Sequence, residues 1–370
     1  MGGRFMVLSA GMGAGHDAVA GEMGRRLAAA GHEVLVRDVL TLLPPGTGRA
    51  LRSSYRFSVR HVPGLYAGVH AVFLEQWSGA GRPPSRRGTV TDMAPLAALA
   101  EGRLTALVRD RRPDAVVSTF HLAGQITGRM RDRGTLAVPS AVFVTDFAVH
   151  RGWLHPGNDL YLCVTRTCAE AVHAATGRPA TAPGPVVPPE FGRPAAQDPP
   201  GWADGRPPVL ICTGAWGVGS GLTRTAEVLA RHGCLPVLLC GRDERLRRRA
   251  AAVPGAVALG WVDDLPELMS HVRLLIDNAA GQTAVQALAA GVPVIGYRPI
   301  AGHGVEGVRA MAAEGVTVWA GGIGELLARV DELVAPGPVR DGQVARAAAL
   351  FRDDAARLVA ALPGSGPPGA

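Results

Sequence analysis

Four short stretches concentrate the side chains able to act on a substrate. SAGMGAGH (9–16) sets Gly11, Gly13 and Gly15 ahead of His16. Glycine permits close approach, and imidazole is the side chain best suited to take a proton near neutral pH. In VFVTDFAVHRGWLHPGNDLYLC (142–163), Asp146, His150, Trp153 and His155 crowd behind an apolar run, in a chain with 11 His and 6 Trp in all. CTGAWGVGSG (212–221) carries Gly214, Gly217 and Gly219. DNAAGQTAVQALAAGVPVIGY (277–297) places small residues and Gly281 before Gln282 and Thr283. A helix that starts there offers unpaired N–H groups to a diphosphate, with the Thr283 hydroxyl assisting and Gln286 one turn on, placed for a ribose.

Each stretch also has a plainer reading. A tight turn explains the three glycines but not His16. Asp146 suits a helix cap or an ion pair, and His150 and His155 suit hydrogen bonds within their own loop. IAGHGVEG (300–307) reads either as a loop that reaches a sugar or as a plain connection.

The elements that must position these residues alternate. Apolar runs at 5–10, 32–38, 114–120, 140–146 and 160–165 read as strands, with helical spacing after 16 and near 95–111, 122–133 and 167–176. The stretch after 38 reads as irregular. A proline-rich segment, 178–208, breaks the pattern and reads as a stiff linker. Alternation then resumes, with strands at 208–214, 235–241, 256–261, 272–278, 292–297 and 316–320. Helices are expected at 222–232, from 243, near 263–270, at 282–290 and at 304–314, with two more to follow.

Strand–helix alternation on this scale implies parallel sheets covered on both faces. The expected fold is α/β: two tandem doubly wound Rossmann-like domains facing a central cleft, at 1–180 and 208–362. The linker would span 181–207, the last helices would pack back on the first domain, and 363–370 would be a disordered tail. Open parallel sheets bind ligands beyond the carboxyl ends of their strands, where the four stretches fall.

Bulk properties narrow the chemistry. The 370 residues are 47% hydrophobic and 19% charged, and no window reads as a membrane-spanning helix. The N-terminus reads as a first strand, not a signal peptide. All 38 basic residues are arginine, which excludes a Walker-A loop and a lysine Schiff base. A net charge of +7 favours acidic partners such as nucleotide phosphates or anionic lipid. The arginines are scattered without interleaved aromatics, so no nucleic acid is expected.

Across residues 5–320 the sequence resembles GT-B glycosyltransferases, in the branch of monogalactosyldiacylglycerol synthases and MurG-type transferases. The resemblance is carried by the glycine turn ending in His16, PDAVVSTFHL (113–122), TDFAVHRGWLHPGNDLY (145–161), GRDERL (241–246), GWVDDLPELM (260–269) and AAGQTAVQALAAGVPVI (279–295). YRFSVRHVPGLY (55–66) is similar to the stretch those enzymes use near their acceptor.

The resemblance implies a UDP-sugar donor on the second domain, with no metal and no cofactor. His16, or Asp146 with it, would take the acceptor proton. Trp261 and Val262 would meet the base, while Gly214, Gly217, Gly219, Gly281, Gln282 and Thr283 would cradle the diphosphate beside Arg242. Gln286 stands where the family has a ribose-binding Glu, and His303-Gly304 where it has a sugar-contacting Gln-Glu pair. Gly13, Gly15, His121, His150, Trp153, Tyr55 and Tyr66 would lie on the acceptor side.

The expected activity is metal-independent, inverting transfer of a sugar to a lipid or hydrophobic small molecule, by a cytoplasmic protein peripheral to the inner membrane face. Aromatic and arginine residues in 51–78 suit an anionic membrane surface or, equally, a helix pair packed on the domain. The competing readings are a UDP-sugar 2-epimerase, a non-catalytic binding protein of the same fold, and an NAD enzyme using Asp38.

Overall fold

The computed structural model describes residues 2–62, 68, 94–195, 200–212 and 218–362. Gly214, Gly217, Tyr66 and the tail from 363 lie outside the described residues. The chain divides into two compact units: Met1–Val186 together with the stretch from Arg352, and Val187–Phe351.

The first unit contains β1 (Arg4–Ser9), α1 (Ala14–Ala29), β2 (Glu33–Asp38), α2 (Thr47–His61), α3 (Ala94–Arg111), β3 (Ala115–Ser118), α4 (His121–Asp132), β4 (Ser140–Val144), β5 (Leu160–Cys163), α5 (Arg166–Thr176) and β6 (Ala180–Thr181). Among the described residues these form one parallel sheet in the order β2-β1-β3-β4-β5-β6. AVVS of β3 and SAVFV of β4 are buried throughout, the pattern of strands covered on both faces. Met6 and Leu8 of β1, Leu104 of α3, and Leu122, Ile126 and Met130 of α4 belong to one core cluster.

Residues 47–61 form α2, in a stretch expected to be irregular after 38 with a helix pair as the alternative over 51–78. The boundary between the two units, at 186/187, falls inside the expected stiff linker. That proline-rich segment is also built into the fold, since β6 pairs with β5 at Tyr161–Ala180 and Val186, Val187 and Phe191 are buried. The last helix (Ala355–Ala360) packs on α1, where Arg26 bridges Glu22 at 2.6 Å and Asp354 at 3.2 Å.

The second unit contains β7 (Pro208–Cys212), α6 (Leu222–Arg231), β8 (Leu235–Leu239), α7 (Glu244–Ala251), β9 (Val257–Leu259), α8 (Leu265–Ser270), β10 (Leu274–Asp277), α9 (Gln282–Ala289), β11 (Val294–Tyr297), α10 (His303–Ala313), β12 (Val318–Ala320), α11 (Ile323–Val334) and α12 (Pro338–Ala348). Its parallel sheet runs β12-β11-β10-β7-β8-β9.

Each sheet therefore has one place where successive crossovers leave in opposite directions. In the first unit it lies between β1 and β3, and in the second between β7 and β10. Loops leaving adjacent strands on opposite sides open a crevice at such a switch point. The first is bounded by the glycine turn and by Thr119–His121. The second is bounded by 218–221, ahead of α6, and by 278–281.

Candidate active site

At the first switch point, β1 ends in Ser9 and the glycine turn leads into α1, with Gly13 as its N-cap. A Cβ at Gly13 would meet nothing within 4 Å, so the mouth of the turn is open. One turn of helix then carries His16 towards β3. Its Nδ1 lies 3.1 Å from Thr119 O and 3.2 Å from Thr145 Oγ1. A carbonyl oxygen can only accept, so Nδ1 carries the hydrogen. Nε2 keeps its lone pair, and His16 is a base by construction. Burial pushes its pKa below the ordinary 6.5, while Asp146 and the Thr119 carbonyl pull it partly back. The neutral ring is thus the resting form at pH 7.

Asp146 lies two residues beyond the end of β4 and anchors the rest of the cluster. Its Oδ2 accepts from Trp153 Nε1 at 2.8 Å and faces His150 Nε2 at 3.4 Å. Gly152 N donates to His150 Nδ1 at 3.1 Å, which leaves the His150 hydrogen on Nε2, aimed at Asp146. Burial alone would raise the Asp146 pKa, but His150, His16 and Trp153 hold the carboxyl well below the usual range. Thr145 Oγ1 donates to Asp146 Oδ1 at 3.4 Å. Thr145 therefore joins the two groups: it accepts from His16 and donates to Asp146.

His150 and Trp153, expected on the acceptor side, are instead 5% and 0% exposed. They lie behind Asp146 and fix its carboxylate, because a buried indole N–H and imidazole N–H each need an acceptor. His121, half-buried at the start of α4, packs on Phe120 with ring centres 4.1 Å apart and planes tilted by 39°, and meets His150 edge-on at 5.2 Å.

The loop carrying Asp146 is pinned from below. Gln125 Nε2 donates to Gly152 O and Leu154 O, both at 2.9 Å, and Cys168 Sγ donates to Phe147 O at 2.9 Å. His155 stays outside the cluster and accepts from Gly157 N at 3.0 Å. Tyr55 is half-buried on α2, with Phe57 exposed beside it.

At the second switch point, Asp277 ends β10 and folds the next loop onto itself. Its Oδ2 accepts from Ala279 N at 2.9 Å and Ala280 N at 2.6 Å. Burial raises its pKa, and those amides offset part of the rise. Ala280 is held at φ 52°, a left-handed conformation that costs a residue with a Cβ about 1–2 kcal/mol. Gly281 follows as the N-cap of α9 with no side-chain cap, and Gln282 and Thr283 open the helix half-exposed. Their N–H groups are of the kind a helix start leaves without intrahelical partners. Gln286 is half-buried one turn along. Asn278 Nδ2 donates to Val218 O at 2.9 Å, tying the two loops of the crevice together, and a Cβ at Gly219 would lie 2.8 Å from that nitrogen.

Of the sugar-side pair, His303 begins α10 half-exposed, whereas Gly304 is buried. A Cβ at Gly304 would lie 2.9 Å from Asn278 O and 3.1 Å from Ile300 Cβ. No side chain fits there without movement, so the family's Glu has no room in this chain and Gly304 serves packing. Beyond β8 and β9, Arg242 stacks over exposed Trp261 at 4.5 Å, with Trp261 Nε1 donating to Asp263 at 3.0 Å. Val262 follows it. Among the described residues no group of three His, Cys, Asp or Glu is arranged to hold a metal ion.

Two parallel doubly wound units in tandem, each with a crevice at its switch point, define the GT-B class of fold. The chain superposes on MurG of Acinetobacter baumannii with a TM-score of 0.57 at 16% identity, over 98% of this chain and 99% of that one. It superposes on the glycosyltransferase SsfS6 of Streptomyces sp. SF2575, solved with thymidine diphosphate, with a TM-score of 0.57 at 17% identity, over 96% and 99%.

Within that class, residues 16–181 match the family model for monogalactosyldiacylglycerol (MGDG) synthase. The processive diacylglycerol beta-glucosyltransferase of Bacillus subtilis is 26% identical over 245 residues, 63% of this chain and 64% of that protein. The match thus spans somewhat under two thirds of that relative's length. The resemblance carried by the sequence motifs, to a GT-B family of the MGDG synthase and MurG-like branch, is borne out.

Proposed function

We propose that this chain is a glycosyltransferase that moves a hexose from a nucleoside-diphosphate sugar, UDP-linked, to the hydroxyl of a diacylglycerol-type lipid with inversion at C1. The observation that carries the reading is His16: an imidazole neutral at pH 7 whose Nδ1 hydrogen is shared between Thr119 O and Thr145 Oγ1, leaving the Nε2 lone pair at the first switch point. The acceptor hydroxyl gives its proton to Nε2 as its oxygen bonds to C1. The C1–O bond to the diphosphate breaks, and its electron pair stays on the departing diphosphate oxygen.

Asp146, held ionised, stabilises the imidazolium that forms and acts through Thr145. In the second unit the amides at 281–283 meet the growing charge on the leaving group. A lipid acceptor is supported by the first unit's family match, by the printed activity of the Bacillus subtilis relative, and by α2, where Phe57 is 59% exposed beside exposed Arg56. A 2-epimerase is not favoured, because the Asp277 carboxylate at the donor crevice is committed to backbone amides. No helix among the described residues is long and apolar enough to cross a membrane. A lipid acceptor, with exposed Phe57 and Arg56 on α2, supports a place at a membrane surface, which we propose is the cytoplasmic one.

The test is incubation with UDP-glucose or UDP-galactose and diacylglycerol in mixed micelles, reading UDP release and the mass of the lipid. Acceptor-dependent UDP release with a hexose added to the lipid supports the reading. UDP release that never depends on lipid overturns the acceptor assignment.

A further inference from the structure

We propose that Arg298, rather than Arg242, is the cation that grips the donor's diphosphate; the inference rests on the donor reading above. Arg298 follows β11, and its backbone sits at φ 51°. A residue with a Cβ is held there only where its surroundings demand it, and such strain gathers at functional sites. Arg298 and Ala280, at φ 52°, are two of the three non-glycine residues with positive φ among the described residues, and both bound this crevice.

The side chain shows what the strain achieves. Its Nε donates to Tyr297 Oη at 3.2 Å and its guanidinium lies 5.5 Å from the Tyr297 ring centre. From there it reaches across the head of β10 to Gly221, where an added Cβ would collide with Nη1. It shares a small hollow with Ser220, Thr225, Asp277 and Asn278, at the switch point between β7 and β10. Arg298 is exposed, and no carboxylate lies within ion-pair reach of it among the described residues. A forked donor set held between the Gly219–Gly221 turn and the 278–281 loop matches a diphosphate. Arg242 follows β8, on the far side of β7, and is occupied with Trp261, where a base would stack.

The experiment is calorimetric titration of UDP and UMP into wild type, Arg298→Gly, Arg298→Lys and Arg242→Ala, with thermal unfolding of each. Glycine accepts φ 51°, so Arg298→Gly should unfold at an equal or higher temperature while UDP affinity falls about 10- to 100-fold. Arg298→Lys should recover only part, and Arg242→Ala should weaken UMP and UDP alike. UDP affinity within twofold of wild type in Arg298→Gly overturns the assignment and leaves the donor reading standing. A lower unfolding temperature with unchanged affinity makes Arg298 structural and overturns it too. A wild type that binds none of UDP, GDP and dTDP overturns the donor reading and this inference together.

Discussion

Replacing Asp146 with Asn isolates the electrostatic half of the proposed base. Asn keeps the size of the side chain and an oxygen for Trp153 Nε1, so the fold should survive. It removes the negative charge that His16 feels through Thr145. The two hydrogen bonds of that path measure 3.2 and 3.4 Å, so the imidazole and carboxylate lie within about 7 Å of each other. At an effective dielectric constant of about 20, a unit-charge pair at that separation attracts by about 2.5 kcal/mol. With 38% of the Asp146 side chain open to screening water, about 1–2 kcal/mol survives.

That attraction exists only once His16 is protonated, in the transition state, so its loss should fall on the rate and lower kcat/KM about 5- to 30-fold. Asp146 also raises the His16 pKa, opposing burial, so Asn should move the acid limb of the rate profile to lower pH. The assay is lipid-dependent UDP release between pH 5 and 8. A variant within twofold of wild type, with an unmoved acid limb, would refute the electrostatic coupling.

Removing the base itself in His16→Ala should lower kcat about 10²- to 10⁴-fold, with UDP affinity unchanged in a calorimetric titration. For wild type the acid limb should fall below pH 6.5, because burial depresses the His16 pKa. Asp146 also links stability to pH: its folded pKa is depressed, so its contribution is present above 3.8 and is lost as pH falls below it, a loss Asp146→Asn should lack in acid unfolding curves. Gly304→Ala should cost about 1–3 kcal/mol in denaturant unfolding, because the new methyl presses on Asn278 O. Ala280→Gly should stabilise by about 1 kcal/mol by releasing the left-handed strain, read in the same experiment.

The sheets were legible because buried parallel strands are short apolar runs, and SAVFV and PVLIC leave little else to be. α2 was legible only as one of two readings of 51–78, since RALRSSYRFSVRH has few apolar residues to reveal a helical period and draws its order from neighbours such as Asp38, which bonds Arg52 at 2.6 Å. β6 escaped because it is two residues long and precedes a proline-rich stretch.

In the site, residue type and position after a strand were enough to select His16 and Asp146. The direction in which Trp153 and His150 face was not readable, because polar aromatic side chains serve a surface or a half-buried carboxylate equally well. Thr119 contributes through a carbonyl, which every residue has, and Thr145 through a hydroxyl whose importance appears only once β4 lies beside His16. Arg298 gives no signal either, since a left-handed backbone is normally announced by Gly or Asn.

The central claim is that His16 rests neutral with its hydrogen on Nδ1. Nitrogen-15 NMR of histidine-labelled protein at pH 7, with the His16 resonances assigned by comparison with His16→Gln, reads this directly. A protonated Nδ1 beside an unprotonated Nε2 is the expected result. A hydrogen on Nε2, or a doubly protonated ring, would contradict it.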